Sequence, residues 1–166
     1  MIKLLLAFCI GLFISGCGYA PIAHYSQKAL GNSVYIDLKI NAANTENSVA
    51  LRDLLNKVVV MRFQKELKNK EEADSVIYVE MTNIQDQSIA TNSDGFTTFY
   101  RVNLTLSFKY SNRTHKETQF SNSAYYDYAV SLEDPAVTYE NRLDAIEQAT
   151  IQCVDKFLSQ VAYQGK

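Results

Sequence analysis

Past residue 32 the spacing of apolar positions switches between two and about 3.6, and each switch marks an element. Val34, Ile36, Leu38 and Ile40 alternate with Tyr35, Asp37 and Lys39, which predicts a half-buried strand. A polar connection, Asn41 to Asn47, follows, and Asn47 or Ser48 can cap a helix. Leu51, Leu54, Leu55, Val58 and Met61 or Arg62 then keep i, i+3, i+4, i+7 spacing. They predict a helix of about 20 residues, ending near Lys68-Asn69-Lys70, where cations suit the negative end of the dipole. Ile77, Val79 and Met81 return to alternation from about Ser75, in a strand that can continue through Ile84 toward Ile89. After the turn dipeptide Asp94-Gly95 comes the cleanest signal in the chain. Tyr100, Val102, Leu104, Leu106, Phe108 and Tyr110 lie on one side of a strand; Arg101, Asn103, Thr105, Ser107 and Lys109 lie on the other. A polar turn, Ser111 to His115, leads to a last strand from about Glu117 to Tyr128. Phe120, Ala124, Tyr126 and Tyr128 form its inner face, and Asn122 is a polar exception on that face. Asp134-Pro135 then reads as cap and first turn of a long helix, with Thr138 as a competing start. Tyr139, Leu143, Ile146, Thr150, Cys153, Phe157 and Val161 make its apolar stripe.

The predicted order is β-α-β-β-β-α, an α+β fold. A helix between the first two strands implies a right-handed crossover and a parallel pair. The last three strands, joined by short polar turns, form an antiparallel meander. Two amphipathic helices on one face of a four-stranded, mostly antiparallel sheet then give a two-layer sandwich. Its other face, with Arg101, Asn103, Thr105, Ser107 and Lys109, stays open to water or to a partner.

The N-terminus carries a different pattern. Lys3 precedes an apolar run from Leu4 to Phe13, about ten residues, too short to span a ~30 Å hydrocarbon core and right for a signal-peptide core. Small residues in Ile14-Ser15-Gly16-Cys17 complete the pattern of a bacterial lipobox; the alternatives are an ordinary secretory signal or a short membrane anchor. Residues 1–16 are therefore expected to be removed, Cys17 to carry a diacylglycerol and an N-acyl chain, residues 17–32 to act as a tether, and residues 33–166 to form one domain. About 150 of the 166 residues remain, enough for a single core. Of the three cysteines only Cys153 is then left, so no intrachain disulfide is possible; inside the apolar stripe it reads as a buried core thiol.

The formal net charge of −2 argues against a nucleic-acid partner, which needs a basic field. With two histidines, no metal cluster forms; there is no nucleophile elbow, phosphate loop or dinucleotide fingerprint either. The chain reads as non-enzymatic, with no catalytic residues, metal or cofactor beyond the lipid on Cys17. One cluster could bind a ligand: Arg101, Lys109, Arg113, His115 and Lys116 suit phosphate or sugar-acid groups, or else keep a solvated sheet face soluble.

Gly16-Cys17-Gly18-Tyr19, the strand opening Ala73-Asp74-Ser75-Val76-Ile77-Tyr78-Val79, the strand start Tyr100-Arg101-Val102-Asn103-Leu104 and the closing amphipathic helix together resemble the lipopolysaccharide-assembly lipoprotein family LptE. The resemblance implies two helices on a four-stranded sheet. It also implies an outer-membrane lipoprotein that plugs the large β-barrel LptD, helps it assemble, and contacts lipopolysaccharide. Gly18 rather than aspartate after the cysteine is consistent with sorting to the outer membrane. Arg101, Lys109, Arg113 and Lys116 are the candidate ligand contacts. An auxiliary lipoprotein of a lipid-transporting ABC system and a structural envelope lipoprotein are the other classes the residues allow.

Overall fold

A computed structural model describes residues 29–40, 49–112 and 117–164. Its elements are β1 (Ser33–Ile40), α1 (Val49–Phe63), β2 (Glu66–Leu67), β3 (Ser75–Thr91), β4 (Thr97–Asn112), β5 (Thr118–Ala129) and α2 (Pro135–Gln164). The sheet runs β2-β1-β3-β4-β5. As the intervening helix and the short polar turns imply, β1 lies parallel to β3, and β3, β4 and β5 form an antiparallel meander. The α+β sandwich is therefore observed, with five strands instead of four.

The extra strand exists because α1 stops earlier than its pattern suggests. Gln64 adopts φ 50°, a left-handed conformation that ends a helix one residue after Phe63. Glu66 and Leu67 then pair in parallel with Ser33 and Val34, through Glu66 N–H to Asn32 O (3.3 Å) and Lys68 N–H to Val34 O (3.1 Å). Two residues of strand carry no periodicity, and a Lys-Glu-Leu-Lys run reads equally well as a helix end. Within α1 the buried positions are Leu51, Leu55, Val58, Val59 and Phe63, while Met61 is exposed.

One carboxylate closes the base of the sheet. Asp74 Oδ2 accepts from Asn32 N–H (3.0 Å), Ser33 N–H (3.1 Å) and the Ser33 hydroxyl (3.1 Å). The Asp74 N–H donates back to Ser33 Oγ (3.1 Å). Gly31 makes this approach possible: it has φ 75°, and a Cβ there would lie 2.5 Å from Asp74 Cβ. Ser75 Oγ donates to Leu30 O (2.9 Å), and the Tyr110 hydroxyl donates to Ala29 O (2.6 Å). The Ala73-Asp74-Ser75 stretch thus holds the start of β1 against the start of β3.

The helices cover one face. Phe157 of α2 sits at the centre, stacked on Phe108 of β4 (ring centroids 4.5 Å, 9° between planes). Phe63, Phe120 and Tyr110 ring it at 5.8, 5.6 and 6.3 Å. Val102, Leu104, Leu106 and Phe108 are fully buried against Ile146, Ala149, Cys153 and Val161. Asn122, the polar exception, is buried and satisfied: its amide donates to Cys153 O (3.2 Å) and exchanges hydrogen bonds with the Gln160 amide at 3.0 and 3.1 Å. The Cys153 thiol donates to Asn122 O (3.3 Å). Burial pushes that thiol up to about 11, in keeping with a core role. Tyr126, expected on the inner face, and Tyr139, expected in the helix stripe, are both exposed.

Beyond the core, β3 and β4 continue as a long hairpin of 17 and 16 residues. Its tip is set by the Asn92 side chain, which accepts from Asp94 N–H (3.1 Å) and Phe96 N–H (2.9 Å), with Gly95 at φ 84°. Register shifts at Met81/Asn83 and between Ser88 and Thr91 bend it. Arg142 of α2 clamps it through Nε and Nη2 to Asp86 Oδ2 (2.9 and 2.7 Å), while Tyr128 donates to Asp86 Oδ1 (2.8 Å). At the start of α2, Asp134 Oδ1 accepts from Ala136 N–H (2.8 Å), as a cap should. The Thr138 hydroxyl instead fixes the preceding loop by accepting from Ser131 N–H (2.9 Å).

Phe157→Ala removes the ring shared by both helices and the sheet, and should cost about 3–5 kcal/mol, read as a fall in the guanidinium midpoint. In the folded protein Cys153 should resist a thiol-reactive dye at pH 8 and react promptly once denatured.

Candidate functional site

Directly opposed residues of neighbouring strands share a face, so the register defines the surface the helices leave uncovered. It carries Asp37 and Lys39 on β1, Tyr78, Glu80, Gln85 and Gln87 on β3, and Arg101, Asn103, Thr105, Ser107 and Lys109 on β4. On β5 it carries Gln119, Ser121, Ser123, Tyr125 and Asp127. Three cations, Lys39, Arg101 and Lys109, stand among three anions, Asp37, Glu80 and Asp127. Between them lie small neutral donors and acceptors that bond one another. The Thr105 and Ser123 hydroxyls are 2.9 Å apart, and the Gln119 amide donates to Ser107 Oγ (3.1 Å). The face is polar and electrically balanced.

Arg101 is matched within the sheet. Its Nε and Nη2 donate to the two carboxylate oxygens of Asp127 at 2.7 and 2.9 Å, a bidentate fork, and its guanidinium lies 4.2 Å from the Tyr125 ring centre. Lys109 is exposed and makes no ion pair among the described residues. It borders a shallow cavity of about 260 Å³ with Lys39, Tyr78, Glu80, Ser107 and Glu117. Arg101 and Lys109 are eight steps apart along β4, so their strand positions stand roughly 26 Å apart and the two side chains cannot grip one phosphate. Arg113, Lys116 and Cys17 lie outside the described residues. Asp127, the partner that decides how Arg101 behaves, carries no sequence signal by itself; it emerges only from the β4–β5 register. Among the described residues no group of three histidine, cysteine or carboxylate side chains could hold a metal ion, and no helix is long and apolar enough to cross a membrane. What this surface can do is hydrogen-bond over a wide area without a net field.

Residues 32–161 match the family model described as LptE, lipopolysaccharide-assembly. The chain belongs to the LptE family. Its place is accordingly in lipopolysaccharide assembly at the cell envelope. No curated protein sequence matches it. Solved structures share its fold at low identity. Rare lipoprotein B from Shewanella oneidensis is 13% identical, covers 78% of this chain and 95% of its own, and has a TM-score of 0.52. A lipoprotein from Caulobacter crescentus, 13% identical, covers 87% and 98% at a TM-score of 0.51. A Xanthomonas campestris protein of the DUF330 family, 10% identical, covers 81% and 85% at 0.54. These likenesses are of fold.

The Arg101 guanidinium holds the Asp127 carboxyl below its ordinary range. A depressed carboxyl contributes stability that is present above the unfolded value of ~3.9 and lost as pH falls through the lower folded value. The gap in urea midpoint between the wild type and Asp127→Asn should therefore be open at pH ~6 and close by pH ~2.

Proposed function

We propose that this LptE-family protein is an outer-membrane lipoprotein, anchored through acyl chains on Cys17, that fills the lumen of an LptD-like β-barrel and supports its assembly for lipopolysaccharide transport. The observation that carries the reading is the uncovered sheet face: polar, charge-balanced and lined with small hydrogen-bonding groups. A barrel lumen is polar too, so such a face can pack against it without desolvating unmatched charge. Size supports the same reading. Four strands of 8, 17, 16 and 12 residues at ~4.8 Å spacing, backed by a helix layer ~10 Å away, need a lumen as wide as that of the large barrels that hold a plug.

Polarity along the molecule agrees with an anchor at one end. The chain enters β1 at Ser33, beside Asp74, and β3 then runs 17 residues to the hairpin tip. The tip therefore stands ~50 Å from the base. Acyl chains below Ser33 would hold the base at the periplasmic leaflet and direct the hairpin into the barrel. Direct contact with lipopolysaccharide, in this reading, falls to Lys109 with Arg113 and Lys116, because the charge of Arg101 is already matched by Asp127.

Affinity capture of the tagged, lipidated protein from solubilised envelopes should bring down a large β-barrel at about one-to-one, in high salt as well as low. Recovery of inner-membrane transporter components alone would remove the barrel reading and favour the ABC-auxiliary class. In a lipopolysaccharide-binding assay Lys109→Glu should weaken retention several-fold, and Arg101→Glu should have a smaller effect.

A further inference from the structure

A sheet with two ends exposes two outer strands, and here they are unequal. β2 is two residues long. β5 has twelve, with no proline, no register shift against β4 and a single charged residue, Asp127. Free edges of this length are normally blunted by lysine, proline or a bulge, because their outward N–H and C=O groups invite another strand. Here α2 supplies the protection. Lys156 Nζ donates to Ser123 O (2.6 Å), Gln152 Nε2 to Tyr125 O (3.4 Å) and Asn141 Nδ2 to Ala129 O (3.0 Å). In an antiparallel ladder alternate residues face outward together, so residues 123, 125, 127 and 129 make one outward set. α2 caps the carbonyls of three of them; among the described residues no side chain caps the carbonyl of Asp127.

At that gap the edge opens into a groove of about 560 Å³ between β5 and α2. Tyr126, Asp127, Tyr128, Asn141, Asp144 and Glu147 border it, and no basic residue does. Asp144 and Glu147 make no ion pair among the described residues. Tyr126 beside them is 44% exposed. An uncapped stretch of edge thus adjoins two uncompensated carboxylates and an aromatic ring.

We propose that the β5 edge from Tyr125 to Asp127 takes up a short extended segment of a partner protein, as a further strand, with a lysine or arginine of that segment reaching Asp144 and Glu147. Backbone pairing at Asp127 supplies the register, and the acidic groove beside Tyr126 selects the cation. The Gln152 contact, at 3.4 Å and near the limit of a hydrogen bond, yields Tyr125 O to the incoming chain. A second copy of this protein fits poorly, since pairing two β5 edges in antiparallel would bring two acidic grooves together. The inference does not rest on the barrel reading, and failure of either leaves the other standing.

The test uses the full chain in detergent and two capped five-residue peptides of alternating threonine and valine, one with a central lysine and one with a central glutamate. The lysine peptide should bind at least tenfold more tightly and slow hydrogen exchange at the outward backbone amides of Tyr125 and Asp127. Asp144→Lys with Glu147→Lys, both at solvent-accessible positions, should reverse that preference while leaving the thermal midpoint near its original value. The idea is overturned if neither peptide binds at millimolar concentration, if both bind alike, or if binding leaves those amides unprotected. Protection that grows with protein concentration and without peptide would overturn it in favour of self-association.

Discussion

The stack of Phe157 on Phe108 is the contact on which the rest of the molecule depends. It lies where α1, α2, β4 and β5 meet, and three other buried or half-buried rings, Phe63, Tyr110 and Phe120, gather round it. With both helices committed to that face, the sheet has a dry side and a wet side. Burial of the dry side drives folding; the wet side is left to be specified by what it must touch. The strict alternation of β4 follows, because a one-residue slip would exchange Phe108 for Lys109 in the core.

The wet side shows how charge can be present without a field. Arg101 and Asp127 neutralise each other as a fork across β4 and β5, and the remaining charges are of both signs and spread along the sheet. A surface built to capture a polyanion would cluster its cations; this one disperses them.

Sequence reasoning went furthest where a pattern was long. Eleven alternating residues from Tyr100 to Tyr110 left no competing element, and the helix stripe from Ile146 to Val161 was recovered with its cysteine in place. It failed where the deciding event was local or relational. The end of α1 turns on one left-handed residue, Gln64, and β2 is too short to have a period. A turn spanning Ser111 to His115 has its centre at residue 113, which sets Arg101 opposite Tyr125. The observed register sets it opposite Asp127, equivalent to a centre one residue later. That single step hides the ion pair and makes Arg101 look like a free ligand-binding charge. Asn122 is the converse case: a polar residue on an apolar face reads as an error until Gln160 and the Cys153 carbonyl appear beside it.

The latch at the base of the sheet also has a mechanical meaning. The chain ahead of Leu30 enters through Gly31 and the Asp74 hydrogen bonds, and β1 then runs toward the hairpin tip between two parallel neighbours. Any tension applied to that incoming chain, away from the tip, acts along β1. It loads the Asp74 latch and the seven paired positions from Val34/Ser75 to Ile40/Met81 in shear, all at once, rather than peeling them in turn. A pull across the strand, along its hydrogen bonds, would instead unzip it pair by pair. The fold is strongest along the axis on which an N-terminal tether would pull.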